Sequence, residues 1–175
     1  MARNIEIKAR IDDFSALYAE IALLADGIPD IIEQDDTFFV CPNGRLKLRT
    51  LAVDRGELIF YRRVDQAGPK TSFYSLSETQ DPNGLRETLT LALGSAGRVI
   101  KQRTLFRVGQ TRLHLDRVQG LGDFLEFEVV LDEDETEAQG IAIAEDLLER
   151  LQIQRQELVD QAYVDLLNHR QQHPL

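Results

Sequence analysis

Charges repeated at alternate positions are the feature of this sequence whose residue types and spacing could do chemistry. The sets are Glu6-x-Lys8, Arg45-x-Lys47-x-Arg49, Lys101-x-Arg103 and Glu126-x-Glu128. Successive side chains of a β-strand point to opposite faces, so each set would project its charges to one side of a strand. Arginine and lysine bind phosphate oxygens, and carboxylates hold hard divalent cations beside phosphates. The pattern therefore favours a site for a polyanion and a metal ion.

The segments that carry these charges are predicted to be strands. Residues 3–11 alternate strictly, with apolar side chains such as Ile5 and Ile7 on one face and Asn4, Glu6 and Lys8 on the other. Further strands are predicted near residues 36–40, 45–51, 57–64, 70–77, 98–108, 111–118 and 124–131. Turn residues between them indicate antiparallel hairpins, and about eight such strands predict a barrel or a sandwich.

Helical segments accompany the strands. Asp12 and Asp13 both offer an N-cap to a helix that is ended by Gly27, and Asp81 with Pro82 can begin a helix that stops at Gly94. Helical spacing of apolar residues recurs over 134–151 and 157–168. The expected fold is a single α+β domain over residues 1–175, an antiparallel β-barrel of about eight strands with flanking helices and C-terminal helices.

Periodicity alone leaves the direction of the charged face open. If the charges point outward, the apolar residues fill the barrel, as in a lipocalin that holds an apolar ligand. If the charges point inward, helices must cover the apolar residues from outside. Buried clusters of arginine and lysine are costly unless a polyanion compensates them. Chemistry therefore favours the inward arrangement, with a triphosphate and divalent metal ions inside the barrel.

Composition argues against several classes of function. The formal net charge of −10 argues against nonspecific nucleic-acid binding, which needs a basic face. No stretch approaches the roughly 18 to 20 apolar residues of a membrane span, and the charged N-terminus does not read as a signal peptide. The single cysteine, Cys41, cannot form an internal disulfide. We therefore expect a cytoplasmic protein that has neither nucleic-acid nor membrane partners.

The order of these residues resembles the CYTH superfamily, the triphosphate tunnel metalloenzymes. This group includes class IV adenylyl cyclases, thiamine triphosphatases and inorganic triphosphatases. The family opens on Glu-x-Glu-x-Lys, whereas this chain has Asn4, Glu6 and Lys8, so an amide replaces the first carboxylate. The resemblance extends over residues 3–131, and the stretch 115–126 looks most like the class IV adenylyl cyclase branch.

The resemblance implies a role for each charged residue. The implied catalytic residues are Lys8 and Glu6. The implied ligands for Mg²⁺ or Mn²⁺ are Glu6, Asp116, Glu126 and Glu128. The implied substrate-binding residues are Lys8, Arg45, Lys47, Arg49, Arg63, Lys70, Lys101, Arg103 and Arg112. The substrate would be ATP, thiamine triphosphate or tripolyphosphate, and the family's frequent dimerisation is compatible with a homodimer here.

Two reactions remain open for such an enzyme. A cyclase would close ATP on its α-phosphorus and release pyrophosphate, whereas a triphosphatase would direct water at the terminal phosphorus. The alternative is a non-catalytic module that binds a polyphosphate or nucleotide, because Asn4 weakens or alters metal coordination.

Three further side chains invite a functional interpretation. His114 lies on the charged face, where it could be a metal ligand or an acid/base, and it is otherwise expected beside the metal ligands. Cys41 has no evident triad partners, so it is not expected to be a nucleophile. Tyr61 is expected to pack rather than to stack on a base.

Overall fold

The computed structural model describes residues 2–63 and 68–172, and within them eight antiparallel strands close into a barrel. Around the barrel the strands follow the order β1-β5-β4-β3-β2-β6-β7-β8. Their bounds are β1 Ala2–Arg10, β2 Asp30–Phe39, β3 Arg45–Ala52, β4 Arg55–Arg63, β5 Lys70–Thr79, β6 Ser95–Val108, β7 Thr111–Val118 and β8 Gly122–Leu131. The predicted α+β barrel is confirmed.

Four α-helices lie outside this barrel in the described part of the chain, besides a 3-10 helix at Arg155–Glu157. They are α1 Phe14–Leu24, α2 Pro82–Leu93, α3 Glu137–Arg150 and α4 Tyr163–Gln172. The side chain of Asp13 accepts a hydrogen bond from the Ala16 N–H, and that of Asp81 accepts one from the Gly84 N–H. Of the two aspartates that could cap α1, Asp13 does so; the predicted cap of α2 is also present, and α2 ends at Gly94 as expected.

The barrel is covered on its outer face by apolar side chains and helices. Ile5, Ile7 and Phe127 are fully buried in a cluster that includes Ala144 and Leu147 of α3. A Cβ added at Gly140 of α3 would lie 2.6 Å from Leu131 and 2.7 Å from Ile5, so the helix lies directly on β1 and β8. Since the apolar residues of these strands face the helices, the charged residues face the interior.

Two predicted boundaries differ from the structure by six residues each, and the others differ by less. The strand expected near 36–40 begins at Asp30, because its early residues pair along β6. The helix expected over 157–168 begins at Tyr163, since the chain before it forms a 3-10 helix at Arg155–Glu157 and then a bridge from Leu158 to Ala9 of β1. Strand β5 pairs with β1 only up to Glu6, and beyond that point Leu158 bridges Ala9 and the Val159 N–H donates to the Lys8 carbonyl at 2.8 Å.

The helices of residues 2–63 and 68–172 include no segment with the length and apolar character of a membrane span.

Candidate functional site

The barrel encloses a cavity of about 400 Å³ that is lined by alternate residues of all eight strands. The charged side chains on its described lining are seven cations and five carboxylates. They are Lys8, Lys47, Arg49, Arg55, Lys101, Arg103 and Arg112, and Glu6, Asp36, Glu57, Glu126 and Glu128. The described interior is thus net cationic, although the whole chain carries −10. We call this cavity the tunnel; the excess of acidic residues over basic ones lies outside it.

Three side chains on β7 and β8 gather into a group that could hold a metal ion. His114, Glu126 and Glu128 each offer one ligand atom, and these atoms lie within 4.8 Å of one another. The strand register produces this cluster, because His114 pairs with Glu126 across β7 and β8. On the other side of β8, Glu6 pairs with Glu128 and Lys8 pairs with Glu126. We call His114, Glu126 and Glu128 the His–Glu cluster.

The ionisation of the His–Glu cluster suits a divalent cation. Burial and the charge of Arg103 lower the pKa of His114 to about 3, so its imidazole is neutral at neutral pH and able to coordinate metal. Its Nδ1 is buried and has no hydrogen-bond partner among the described residues. Burial opposes ionisation of Glu126, but the charges of Lys8 and Arg103 outweigh it and hold the pKa of this carboxyl well below its usual range. The donor set therefore fits Mg²⁺ or Mn²⁺.

The cations on β3 and β6 are held by two buried carboxylates. Asp36 accepts hydrogen bonds from Lys47 at 2.9 Å and from Arg49 at 2.9 and 3.0 Å. Burial opposes ionisation of Asp36, yet the neighbouring Arg49 and Lys47 charges hold its pKa well below the usual range. We call Lys47, Arg49, Lys101 and Arg103 the cation arc.

Asp116 is the second of these carboxylates, and it is fully buried. It accepts hydrogen bonds from Lys101 at 3.0 Å, from Arg103 at 2.6 and 2.7 Å, and from the Tyr163 hydroxyl at 3.0 Å. Arg103 also lies 3.4 Å from Glu126 of the His–Glu cluster. The cation arc and the His–Glu cluster are therefore neighbours on one wall of the cavity.

A basic arc beside a carboxylate cluster inside a closed barrel is the arrangement that the sequence resemblance implies. A family model described as the CYTH domain matches residues 2–163, which is nearly the whole chain. The chain belongs to the CYTH family. No curated protein matches the sequence.

Solved structures share the fold of this CYTH domain. A Pyrococcus horikoshii protein is 26% identical, with a TM-score of 0.82, and the match covers 93% of this chain and 98% of that one. A Pyrococcus furiosus protein is 21% identical, with a TM-score of 0.79 and coverage of 93% and 99%. A Hippeastrum protein, described as an adenylyl cyclase candidate with a dominant triphosphatase activity, is 19% identical, with a TM-score of 0.62 and coverage of 98% and 97%.

Most of the predicted catalytic, metal-binding and substrate-binding residues line the CYTH tunnel together. Two do not join them in the described structure. Arg45 lies beyond the end of the cavity and makes a two-point ion pair with Asp165 of α4, at 2.6 and 3.1 Å. Asp116 lies behind the cation arc rather than on the lining, and its role as a metal ligand stays a prediction. The side chains of Arg63 and Lys70 lie outside the described part of the structure.

Sequence reasoning missed Asp36 and Tyr163. Asp36 was missed because the strand was expected to start there, although Gln34 and Asp36 already continue the alternation back towards Ile32. Tyr163 comes from the C-terminal segment, and no local pattern indicates that this segment reaches the tunnel. Its ring lies under two cations, with its centroid 4.2 Å from Lys8 Nζ and 4.9 Å from Lys101 Nζ.

The C-terminal segment also positions Lys8. Lys8 Nζ donates a hydrogen bond to the Gln161 carbonyl at 3.1 Å, and Ala162 and Tyr163 line the cavity. The Arg45–Asp165 ion pair fastens the start of α4 to β3. Ala162 and Tyr163 therefore form part of the tunnel wall.

Proposed function

We propose that this CYTH domain is a metal-dependent enzyme that acts on a triphosphate inside its charged tunnel. The observation that carries the proposal is the contact between the cation arc and the His–Glu cluster, where Arg103 lies 3.4 Å from Glu126. Phosphate oxygens bound to the arc would lie beside the carboxylates. That placement lets one ligand engage cations and metal together.

The cation arc would bind the phosphate chain. Lys47, Arg49, Lys101 and Arg103 are held in place by Asp36 and Asp116, so few side-chain rotamers remain to be lost when the anion binds. Each buried carboxylate also lowers the cost of keeping these cations inside while no anion is bound. A triphosphate brings more negative charge than the arc has lost to its two counterions.

The metal would be held by the His–Glu cluster, with Glu6 on the neighbouring strand as a further ligand. When bound, Mg²⁺ or Mn²⁺ would neutralise charge on the phosphoryl oxygens and polarise the anhydride bond. We assign the catalytic roles to Lys8 and Glu6. Lys8 is oriented by the Gln161 carbonyl and would contact the phosphoryl group, since its strand partner is Glu126.

Substrate turnover tests the proposal directly. The protein would be incubated with ATP, thiamine triphosphate and tripolyphosphate, each with Mg²⁺ or Mn²⁺. Cyclic AMP with pyrophosphate would identify a cyclase, and phosphate release would identify a triphosphatase. If none of the three substrates is turned over, the enzyme proposal is contradicted.

Glu126→Gln tests the metal assignment. This substitution removes a charged metal ligand while keeping the size and shape of the side chain. We expect activity at limiting metal concentration to fall by about 100-fold, the upper end of the loss when a residue that supports a metal ligand is replaced. The matched control is Glu33→Gln, since Glu33 lies on the outer face of β2 and is bonded to Gln102. Equal losses of activity in both variants would contradict the assignment of the metal to the His–Glu cluster.

Asn4 favours one second candidate, a module that binds a polyphosphate without turning it over. Asn4 is buried in the tunnel lining at the position of the family's first glutamate. In that case tripolyphosphate would bind without reacting, and Asn4→Glu would restore turnover. Turnover by the unaltered chain would reject this candidate.

A further inference from the structure

One wall of the tunnel differs from the charged surface already described. Four described residues there are apolar or aromatic, Ile59 and Tyr61 on β4 and Tyr74 and Leu76 on β5. Tyr61 pairs with Tyr74 and Ile59 pairs with Leu76, so the four form two adjacent cross-strand pairs. We call Ile59, Tyr61, Tyr74 and Leu76 the aromatic wall.

The aromatic wall begins where the cation arc ends. Lys47 pairs with Ile59 across β3 and β4. Its Nζ lies 5.7 Å from the ring centroid of Tyr61 and 5.7 Å from that of Phe38, which also lines the cavity. A phosphate on Lys47 would therefore place whatever is attached to it against these rings.

The aromatic wall extends from the interior of the cavity towards solvent. Leu76 lines the cavity yet keeps 46% of its surface exposed, so this part of the wall reaches the mouth. Tyr61 and Phe38 also line a second cavity at the start of α4, of about 600 Å³. Tyr61 does pack against the buried cluster around Phe38, as the sequence indicated, but it also presents surface to the tunnel.

A buried hydrogen-bond acceptor lies at the edge of the wall. Asn4 is 2% exposed, and its Oδ1 has no hydrogen-bond partner among the described residues. Asn4 pairs with Ser72 across β1 and β5, and Ser72 and Tyr74 line the cavity two residues apart on the same strand. A buried polar atom of this kind is satisfied when a ligand donates to it.

We propose that the aromatic wall binds the organic group of an organic triphosphate, an aromatic ring system that carries hydrogen-bond donors. This inference rests on the proposed function and names the class of substrate for the same tunnel. Inorganic tripolyphosphate has no apolar surface to cover the two cross-strand pairs. An aromatic group would cover them, stack on tyrosine and reach Asn4 with a donor.

Dissociation constants for ATP, thiamine triphosphate and tripolyphosphate test this inference. They would be measured by calorimetry on the full chain in Mg²⁺, with Ca²⁺ in its place for any ligand that is turned over. We expect at least one organic triphosphate to bind about tenfold tighter than tripolyphosphate, because only it uses the wall. Equal or tighter binding of tripolyphosphate than of both organic ligands would overturn the inference.

Tyr74→Leu separates the wall from the phosphate site. Loss of ring stacking should weaken binding of the organic ligand by about three- to tenfold, and binding of tripolyphosphate by less than about twofold. Phe73→Leu is the matched control, because its ring lies on the opposite face of β5 and is 37% exposed. It should leave both affinities unchanged.

Equal weakening of both ligands by Tyr74→Leu would overturn the inference while leaving the proposed function intact. Failure of all three ligands to bind the unaltered chain would instead overturn the proposed function. If the Tyr74→Leu variant does not fold, the affinities of the unaltered chain for the organic triphosphates and for tripolyphosphate still test the inference.

Discussion

Buried cations survive in this tunnel because individual carboxylates compensate them. Asp36 is bonded to Lys47 and Arg49, and Asp116 to Lys101 and Arg103, so each carboxylate serves a pair. An isolated charge in such a site would be expensive, whereas a bonded pair with further donors is tolerated. At the scale of single residues, the site therefore depends on two aspartates that need not touch a substrate.

Replacement of Asp36 by asparagine tests this dependence. The substitution leaves Lys47 and Arg49 without their buried counterion, so we expect the free energy of unfolding to fall by about 3 kcal/mol. Asp35→Asn is the control, because Asp35 pairs with the exposed Arg98 and should cost about 1 kcal/mol or less. Urea denaturation of both variants measures the difference, and similar losses would contradict the assigned role of Asp36.

The pH dependence of anion binding belongs to Lys101. Burial and the charge of Arg103 lower its pKa from 10.5 to about 8, despite the attraction of Asp116. A lysine with a lowered pKa loses its charge earlier as the pH rises. We therefore expect affinity for tripolyphosphate to fall about tenfold from about pH 8 to about pH 9.5, the loss of one charged hydrogen bond.

Lys101→Arg supplies the control for this pH profile. Arginine stays charged throughout the range, so its affinity should stay level between about pH 8 and about pH 9.5. Calorimetric titration across these pH values measures both profiles. A matching decline in the arginine variant would assign the effect to another group.

At the scale of elements, outer helices determine which face of each strand is interior. Helix α3 covers the apolar side of β1 and β8, which leaves Glu6, Lys8, Glu126 and Glu128 facing the cavity. The C-terminal segment also contributes, since Leu158 bridges Ala9 of β1 and Tyr163 joins the lining. Both elements position the site without carrying its principal charges.

Gly140→Ala tests how closely α3 must approach the barrel. Helix propensity alone would favour alanine by about 1 kcal/mol. The added Cβ would lie 2.6 Å from Leu131, and such overpacking costs about 1 to 3 kcal/mol. We expect a net loss of about 1 kcal/mol in the free energy of unfolding, measured with urea.

Ala142→Gly provides the comparison on the exposed face of the same helix. It should lose about 1 kcal/mol through helix propensity alone. If Gly140→Ala were stabilising instead, the close contact between α3 and β1 would not constrain the helix.

At the scale of the whole molecule, charge is segregated between surface and interior. The chain carries −10, yet its described tunnel lining has two more cations than carboxylates. The outer surface is therefore more acidic than the net charge alone implies. Only an anion narrow enough to enter the barrel reaches the cationic region.

Thermal unfolding tests this segregation. Tripolyphosphate at about 100 times its dissociation constant should stabilise the fold by about 2.7 kcal/mol, which raises Tm by about 5 to 10 °C for a chain of this length. Duplex DNA at equal phosphate concentration should leave Tm unchanged, because it cannot enter the barrel. An equal rise with DNA would place the anion site on the surface.

The sequence by itself determined most of the strands, their charged faces and the family, because strand alternation is local and the spacing of Glu6, Lys8, Glu126 and Glu128 is visible along the chain. It could not determine whether that face pointed inward, since both arrangements bury apolar residues equally well until helices are placed. Tertiary structure decided it by laying α3 on the apolar side.

Pairing at a distance is the other matter that only the tertiary structure decided. Asp116 has the parity of a tunnel residue, but its nearest donors turn it into a counterion of the cation arc. Arg45 continues the alternation of Lys47 and Arg49, yet it lies at the end of the barrel and meets Asp165, 120 residues away. Partners so remote in sequence leave no local pattern, because folding alone brings them together.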